Sequence, residues 1–189
     1  MRILYNNHEY LERLQDIRKN YRTVYGWGAF GAWSDYKNNR SRYNVPNAPK
    51  DSYIFDCSGF AYKALPWGWC GLQTCYGGAS YKKIPELETN NILKICSDVS
   101  TNFDSVQVSE VLYMPGHVGI YAGDGNVIEC TTAGSGGVIM STLANAKQLH
   151  GYNWQSHGKL PFIEYIDCYA KCCEYKRKHG DCPGCNIIV

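Results

Sequence analysis

A cysteine, a histidine and a carboxylate follow one another along the chain in the order that a thiol acyl-transfer enzyme requires. Cys57 lies in the segment FDCSGF, His117 lies sixty positions later in GHVGIY, and Glu129 is twelve residues beyond the histidine. A cysteine nucleophile, a histidine base and a third polar group that orients the base are the components of such a site. The three residues are therefore candidate catalytic groups.

The surroundings of Cys57 are suited to holding a thiolate, which is the nucleophilic form of cysteine. The extended apolar run from Tyr53 to Phe55 precedes it, and a helix-like stretch from Phe60 to Leu65 follows and stops at Pro66. This order predicts that Cys57 lies near a helix N-terminus, whose partial positive charge stabilises a thiolate. The backbone amide of Cys57 is then a natural oxyanion donor.

His117 and Glu129 are predicted to lie on the two strands of one β-hairpin. The β-rich runs from Val118 to Ala122 and from Val127 to Thr131 flank the turn signal Gly-Asp-Gly-Asn. In an antiparallel pair, His117 and Glu129 come close together, and a shared face lets them bond. His117 would then exchange protons with the thiol and the leaving amine, and Glu129 would fix the tautomer of the imidazole.

Each of these residues also has a structural explanation. A single cysteine after an apolar strand is most often a small buried hydrophobic residue, and a histidine after a turn is usually structural. The conjunction of three such groups favours a catalytic site. A non-catalytic wall-binding module that keeps the fold is the alternative from another functional class, and the intact set of three groups argues against it.

The segments FDCSGF and MPGHVGIYAGDGNVIEC resemble the NlpC-type family of papain-like cell-wall cysteine peptidases. The upstream segment YGWG, Tyr25 to Gly28, is similar to the aromatic and glycine segment of that family. The resemblance covers roughly Tyr21 to Tyr165 and is closest to bacteriophage endolysins. The segments that resemble those of endolysins are YGWG, DC at Cys57, MPGHVGIY, IECT and HGKLPFI.

The resemblance implies an α+β fold of papain-like NlpC type, with N-terminal helices packed on an antiparallel β-sheet and the catalytic cysteine at a helix N-terminus. It assigns the role of nucleophile to Cys57 and that of general base and acid to His117. Glu129 is the orienting residue, at a position where many family members have histidine. Contacts with the substrate or the oxyanion are expected from Tyr25, Trp27, Asp56 and Ser58.

The substrate implied by the resemblance is peptidoglycan. The bond cut is an amide of the stem peptide or, alternatively, the amide that joins this peptide to muramic acid, as in an N-acetylmuramoyl-L-alanine amidase. The sequence leaves this choice open, because pocket shape rather than the catalytic residues decides it. No cofactor is expected for catalysis, and no H-E-x-x-H motif of a zinc protease occurs in the sequence.

Composition and charge narrow the classes of partner. The chain of 189 residues has a formal net charge of +2, which does not indicate the concentrated basic face of a nucleic-acid-binding protein. No apolar run is long enough to span a membrane, and the first residues lack the apolar region of a secretory signal. We therefore expect synthesis in the cytoplasm without a signal peptide, and action at the bacterial cell wall after release or delivery.

Two parts are predicted, a catalytic domain over residues 1–166 and a cysteine-rich tail over residues 167–189. Asn7 is expected to cap an amphipathic helix that carries Leu11, Leu14, Ile17 and Tyr21 on one side. The inserted polar stretch from Ser34 to Ser52 is typical of a loop. A helical pattern covers Ile84 to Cys96, and further β runs are predicted at Val106 to Met114, Val138 to Thr142 and Lys159 to Ile166. Helices followed by strands indicate the α+β class.

The tail contains five cysteines in eighteen residues. Thiolates two residues apart converge on one ion through a glycine turn, which suits tetrahedral zinc. The candidate ligands are Cys168, Cys172, Cys182 and Cys185, with Cys173 and His179 as competitors. A disulfide staple and a tail whose cysteines have no role are the alternatives. The tail could also contact the cell wall or a partner.

Overall fold

The computed structural model describes residues 2–73, 84–134 and 136–166. The first of these ranges contains β1 (Tyr5–Asn6), α1 (Asn7–Asn20), β2 (Arg22–Tyr25), β3 (Phe30–Trp33), α2 (Asn39–Arg42), β4 (Ser52–Phe55) and a π-helix (Gly59–Lys63). The later ranges contain a 3-10 helix (Thr89–Ile95), β5 (Ser97–Ser100), a second 3-10 helix (Phe103–Ser105), β6 (Val111–Met114), β7 (His117–Gly123), β8 (Asn126–Thr131), β9 (Gly137–Thr142), α3 (Ala146–His150), β10 (Ser156–Lys159) and β11 (Ile163–Glu164).

A six-stranded sheet in the order β5-β10-β6-β7-β8-β9 forms one layer of the structure. All its neighbouring strands are antiparallel. Helices and this sheet together confirm the predicted α+β class. A second, three-stranded sheet has the order β2-β4-β3, and its β2–β4 pair is parallel. The sequence predicted only an antiparallel sheet and did not predict this parallel pair. The pair forms because β2, the strand that follows α1, lies beside β4, which is far from it in the chain.

Helix α1 begins one residue earlier than predicted. The side chain of Asn6 accepts a hydrogen bond from the Glu9 amide at 2.9 Å, and the Glu9 carboxylate accepts one from the Asn6 amide at 3.2 Å. This reciprocal pair is a capping box, so Asn6 and not Asn7 is the N-cap. Asn7 is buried instead, and its side-chain oxygen accepts a hydrogen bond from the Ile166 amide at 3.2 Å.

The buried face of α1 joins the main hydrophobic core. Tyr10, Leu14 and Ile17 are fully buried there, whereas Leu11, which the sequence placed on the same face, is only partly covered. The π-helix, β4 and one face of the six-stranded sheet supply much of the rest of this core. Strand residues alternate between the two faces of a sheet. Accordingly Leu112, Met114 and Val127 belong to a second cluster on the opposite face.

Four predicted segments differ from the structure. The stretch from Ser34 to Ser52 is not wholly a loop, because it contains the short helix α2. An ion pair of 2.5 Å between Asp35 and Arg40 also lies in this stretch. The helical pattern from Ile84 to Cys96 is realised only as the shorter 3-10 helix. The predicted strand from Val106 begins at Val111, because Ser109 has a φ of 70° and the chain turns there. The run from Lys159 to Ile166 is divided by a turn at Leu160.

We expect Gly59→Ala to lower the free energy of unfolding by about 3 kcal/mol, as overpacking of a tight site does. A Cβ at this position would lie 2.0 Å from the backbone oxygen of Ala29, and that backbone cannot move aside easily. Chemical denaturation measures the change. Gly125→Ala is the matched control, since its Cβ would meet open space and only its φ of 74° costs energy, about 1 kcal/mol. Equal losses of unfolding free energy in the two variants would contradict the close approach of Gly59 to the Ala29 backbone.

Candidate active site

Cys57 lies where the buried strand β4 passes into a helical segment. All four residues of β4 are buried, and helical backbone begins at Cys57 and continues into the π-helix. The side chain of Cys57 is a free thiol, 4% exposed, with its Sγ 3.6 Å from the Thr89 hydroxyl oxygen. By contrast, Cys70 is disulfide-bonded. The structure therefore provides a reduced cysteine at the start of a helical turn.

Asp56 holds this junction together. Its Oδ1 accepts hydrogen bonds from the Ser58 hydroxyl at 3.0 Å and from the Gly59 amide at 2.5 Å. Its Oδ2 accepts one from the Gly28 amide at 2.8 Å. Asp56 and Ser58 are both buried. These hydrogen bonds tie the turn after Tyr25 to the segment that carries Cys57. The substrate or oxyanion contacts expected of Asp56 and Ser58 stay a prediction.

Tyr25 and Trp27 lie on the other side of this junction. Tyr25 ends β2 directly opposite Phe55 of β4, and burial, followed by the neighbouring Cys57 and Asp56, raises its pKa above the usual value for tyrosine. Two residues later, Trp27 is 81% exposed. The parallel β2–β4 pair therefore places a phenol near Cys57 and leaves an indole free to meet a ligand.

His117 and Glu129 are in direct contact, as their spacing predicts. The His117 Nε2 and the Glu129 Oε2 lie 2.5 Å apart. Ile120 pairs with Ile128 in the β7–β8 register, so Gly119 is opposite Glu129 and the histidine is its diagonal neighbour on the same face. Gly119 has no side chain to obstruct this diagonal contact. A Cβ there would lie 3.3 Å from the Cβ of Glu129.

The electrostatics of the pair favour opposite charges. Burial disfavours the charged form of His117, but hydrogen bonds with Cys57 and Glu129 outweigh it and raise its pKa to about 9. Burial likewise opposes ionisation of Glu129, yet the hydrogen bond from His117, the close contact with His150 and the hydrogen bond from Ser141 lower its pKa to about 2. Since the Nε2 of His117 faces Glu129, the other ring nitrogen, Nδ1, is the one available to the Cys57 sulfur. The raised pKa of His117 and the lowered pKa of Glu129 favour an imidazolium beside a carboxylate.

Three residues of this site were not predicted from the sequence. His150, at the end of α3, places its Nε2 2.9 Å from the Glu129 Oε2, and its ring centroid is 4.5 Å from that of His117. Trp154 stacks on His117 with a centroid distance of 5.7 Å, and the Ser141 hydroxyl donates a hydrogen bond to the Glu129 Oε1. No motif or spacing signals these contacts, because they depend on how α3 and the following segment fold over β8 and β9.

A cavity of about 360 Å³ opens beside the histidines. Tyr25, His117, Thr131, His150 and Tyr152 are among the residues that line it. A larger and more open depression, of about 560 Å³, lies at the other end of the β2–β4 pair. It is lined by Arg22, Trp33 and Tyr53 among others, and it contains none of the candidate catalytic residues. The smaller cavity is therefore the one that adjoins the candidate catalytic residues.

Two further expectations concern metal binding and membranes. The four tail cysteines predicted as zinc ligands, Cys168, Cys172, Cys182 and Cys185, lie outside the described residues, so the tail site stays a prediction. Within residues 2–73, 84–134 and 136–166, no helix combines the length and the apolar character that crossing a membrane requires.

Comparison with known proteins finds similarity only among solved structures. No family model and no curated protein matches the chain. The peptidoglycan hydrolase RipB from Mycobacterium tuberculosis is 16% identical with a TM-score of 0.48, over 85% of this chain and 68% of that one. The P60 domain of an antigen from M. avium subspecies paratuberculosis is 17% identical with a TM-score of 0.47, over 84% and 98%.

NlpC1 from Trichomonas vaginalis is a third similar structure. It is 13% identical with a TM-score of 0.44, and the match covers 81% of this chain. The chain spans only 44% of the length of that protein. At such identities and TM-scores, the similarity concerns the chain trace and not the residues of the site.

Proposed function

We propose that the chain is a cysteine peptidase or amidase of NlpC type that hydrolyses an amide bond of peptidoglycan. The observation that carries the proposal is the geometry of the candidate site. A free, buried Cys57 interacts with the imidazole of His117, whose Nε2 is 2.5 Å from the Glu129 carboxylate. A nucleophile, a base and a group that orients the base are the requirements of covalent acyl transfer.

The proposed reaction begins with the Cys57 thiolate paired with the His117 imidazolium. The sulfur attacks the amide carbonyl carbon, and the electron pair of the C=O bond moves onto oxygen. When this intermediate collapses, the C–N bond breaks, and the Nδ1 proton of His117 passes to the leaving amine. A water then gives a proton to the neutral imidazole as it attacks the thioester, which releases the acid and regenerates the thiolate.

Glu129 supports this cycle without touching the reacting bond. Its carboxylate accepts the Nε2–H of His117 and so keeps Nδ1 directed to the sulfur. The Ser141 hydroxyl and the contact with His150 hold the carboxylate in turn. We further propose that Tyr25 and the exposed ring of Trp27 contact the substrate. Asp56 and Ser58 act as positioning residues for the turn that carries Cys57.

The substrate class in this proposal comes from the sequence resemblance around Cys57 and His117. The same resemblance supports an endolysin-like protein that acts at the bacterial cell wall. The triad chemistry is the same for an amide within the stem peptide and for the amide to muramic acid. The 360 Å³ cavity beside the histidines is where the choice between these bonds would be made.

Digestion of purified peptidoglycan tests the proposal. Walls from several Gram-positive bacteria are incubated with the wild-type protein and with Cys57→Ala, and the soluble fragments are identified by mass spectrometry. New fragments from the wild type alone are expected, and their ends identify the amide that is cut. Wall binding without fragments would favour the non-catalytic binding module.

A further inference from the structure

Three side chains of the site bring metal-binding atoms together. His117, Glu129 and His150 each offer one ligand atom, and these atoms all lie within 4.8 Å of one another. The Glu129 Oε2 is 2.5 Å from the His117 Nε2 and 2.9 Å from the His150 Nε2. Two imidazole nitrogens and one carboxylate oxygen are a donor set that zinc accepts, with a further position left for water.

The His150 Nε2 supplies a separate observation. This atom is buried, and the side chain to which it belongs is only 10% exposed. Although it approaches the Glu129 Oε2 to 2.9 Å, it makes no hydrogen bond to any residue in the described part of the chain. A buried ring nitrogen without a hydrogen bond is costly to the fold. The His150 Nε2 lies next to the Glu129 carboxylate, which also contacts His117. A nitrogen in this position is suited to binding a metal ion.

We propose that His117, Glu129 and His150 form a binding site for Zn²⁺ that inhibits the enzyme. Two atoms bound to one tetrahedral zinc lie about 3.3 Å apart, given metal–ligand distances near 2.0–2.1 Å. The contacts of 2.5 Å and 2.9 Å therefore need to widen by less than about 1 Å. The cavity lined by His117 and His150 gives the ion a path from solvent.

The inhibition rests on the proposed function and follows from the tautomers of His117. Zinc binds a ring nitrogen through its lone pair, so the Nε2 proton must leave to solvent. Neutral histidine with a metal on Nε2 carries its remaining proton on Nδ1. In the proposed cycle this Nδ1 proton passes to the leaving amine and leaves a neutral ring. With zinc on Nε2, Nδ1 can give up its proton only if the ring becomes an imidazolate, so the ring is a much weaker acid for C–N cleavage. Glu129, bound to the ion, also no longer accepts a hydrogen bond from His117.

Metal counting tests the site without any need for catalysis. The full-length Cys57→Ala protein is dialysed against Zn²⁺, and bound zinc per chain is measured together with its affinity. His150→Phe in this background keeps a ring against His117 and Trp154 but removes the nitrogen ligand. We expect one fewer zinc per chain, or binding weakened by at least about 100-fold, since loss of an outer-shell partner alone costs 10–100-fold.

His8→Ala in the same background is the matched control, because it removes a histidine outside the site and should leave the count unchanged. Any zinc bound by the tail adds the same amount to all three proteins, so the site is judged from the difference in bound zinc per chain between each variant and its parent. Circular dichroism verifies that each variant is folded. A zinc count and affinity equal in His150→Phe and its parent would overturn the site, and His150→Gln provides an independent repeat.

Activity gives the second arm of the test. Zn²⁺ should lower peptidoglycan hydrolysis by the wild-type protein at least tenfold, and a chelator should restore it. Hydrolysis that persists at saturating Zn²⁺ would overturn inhibition even if the ion binds. If the wild-type protein cleaves no wall under any condition, the proposed function fails while the metal count still decides whether the site exists.

Discussion

Replacing Cys57 by alanine should lower the rate of peptidoglycan hydrolysis on the order of 10⁴-fold or more, because loss of a nucleophile removes the covalent route entirely. The side chain is buried and small, so its replacement by a methyl group leaves only a minor gap. The variant should keep the fold and bind cell walls. Release of soluble fragments and wall sedimentation measure the two properties on the same preparation.

Cys96→Ala is the matched control for this loss. Cys96 is also a free cysteine, but it lies outside the site and donates a hydrogen bond to the Ile92 carbonyl oxygen at 3.4 Å. We expect this variant to retain activity within about twofold, since no group of the site touches it. Hydrolysis at the wild-type rate by Cys57→Ala would exclude the thiol mechanism. Equal losses in both variants would show a general effect of removing thiols.

Glu129→Gln should lower kcat/KM by about 10²–10⁴-fold, in line with the effect of neutralising the orienting carboxylate of a serine-protease triad. The amide is nearly isosteric with the carboxylate, but it no longer attracts the His117 imidazolium. It can also present an NH₂ group to Nε2 and so select the wrong tautomer. Steady-state rates on soluble peptidoglycan fragments measure the effect.

The pH dependence of this variant should change in a defined direction. Contact with Cys57 and Glu129 raises the pKa of His117 from 6.5 to about 9, so the protonated ring persists at mildly alkaline pH. The stability that the His117–Glu129 pair contributes is fully present between pH 4.5 and 6.5, and it is lost as the pH rises through about 9 or falls through about 2. Without the Glu129 charge, the alkaline limb of kcat/KM should move to lower pH. The profile is measured with EDTA present, and an unmoved limb would contradict the role of Glu129.

Glu110→Gln is the control for the structural part of the Glu129 effect. Glu110 is also a buried glutamate that hydrogen-bonds a buried histidine, His157, in the same six-stranded sheet. Both substitutions should cost about 1–3 kcal/mol of stability, as the loss of a buried hydrogen-bond partner does. Only Glu129→Gln should lose activity per folded molecule. Matching activity losses would show that destabilisation explains both.

Local sequence signals predicted a good part of the candidate site. The hairpin around Gly-Asp-Gly-Asn places His117 and Glu129 together, because two strands joined by a tight turn have a register that the turn and the alternation of apolar residues specify. The change from strand β4 to a helical segment at Cys57 was likewise predicted from residues that neighbour Cys57 in the sequence. The α1 cap was displaced by one residue, since Asn6 and Asn7 are both good caps and only the position of Glu9 discriminates between them.

Contacts between distant parts of the chain required the tertiary structure. The parallel pairing of β2 with β4 brings Tyr25 beside Phe55, thirty residues later in the chain, and no turn signal specifies such a pairing. The same applies to His150, Ser141 and Trp154, which reach His117 and Glu129 only when α3 packs over the sheet. The sequence by itself thus determined the local setting of Cys57 and the contact between His117 and Glu129, because neighbours in the chain set both. Their catalytic roles stay predictions. The second histidine and the cavity were decided by packing, because long-range contacts follow from the burial of apolar faces and not from the spacing of residues.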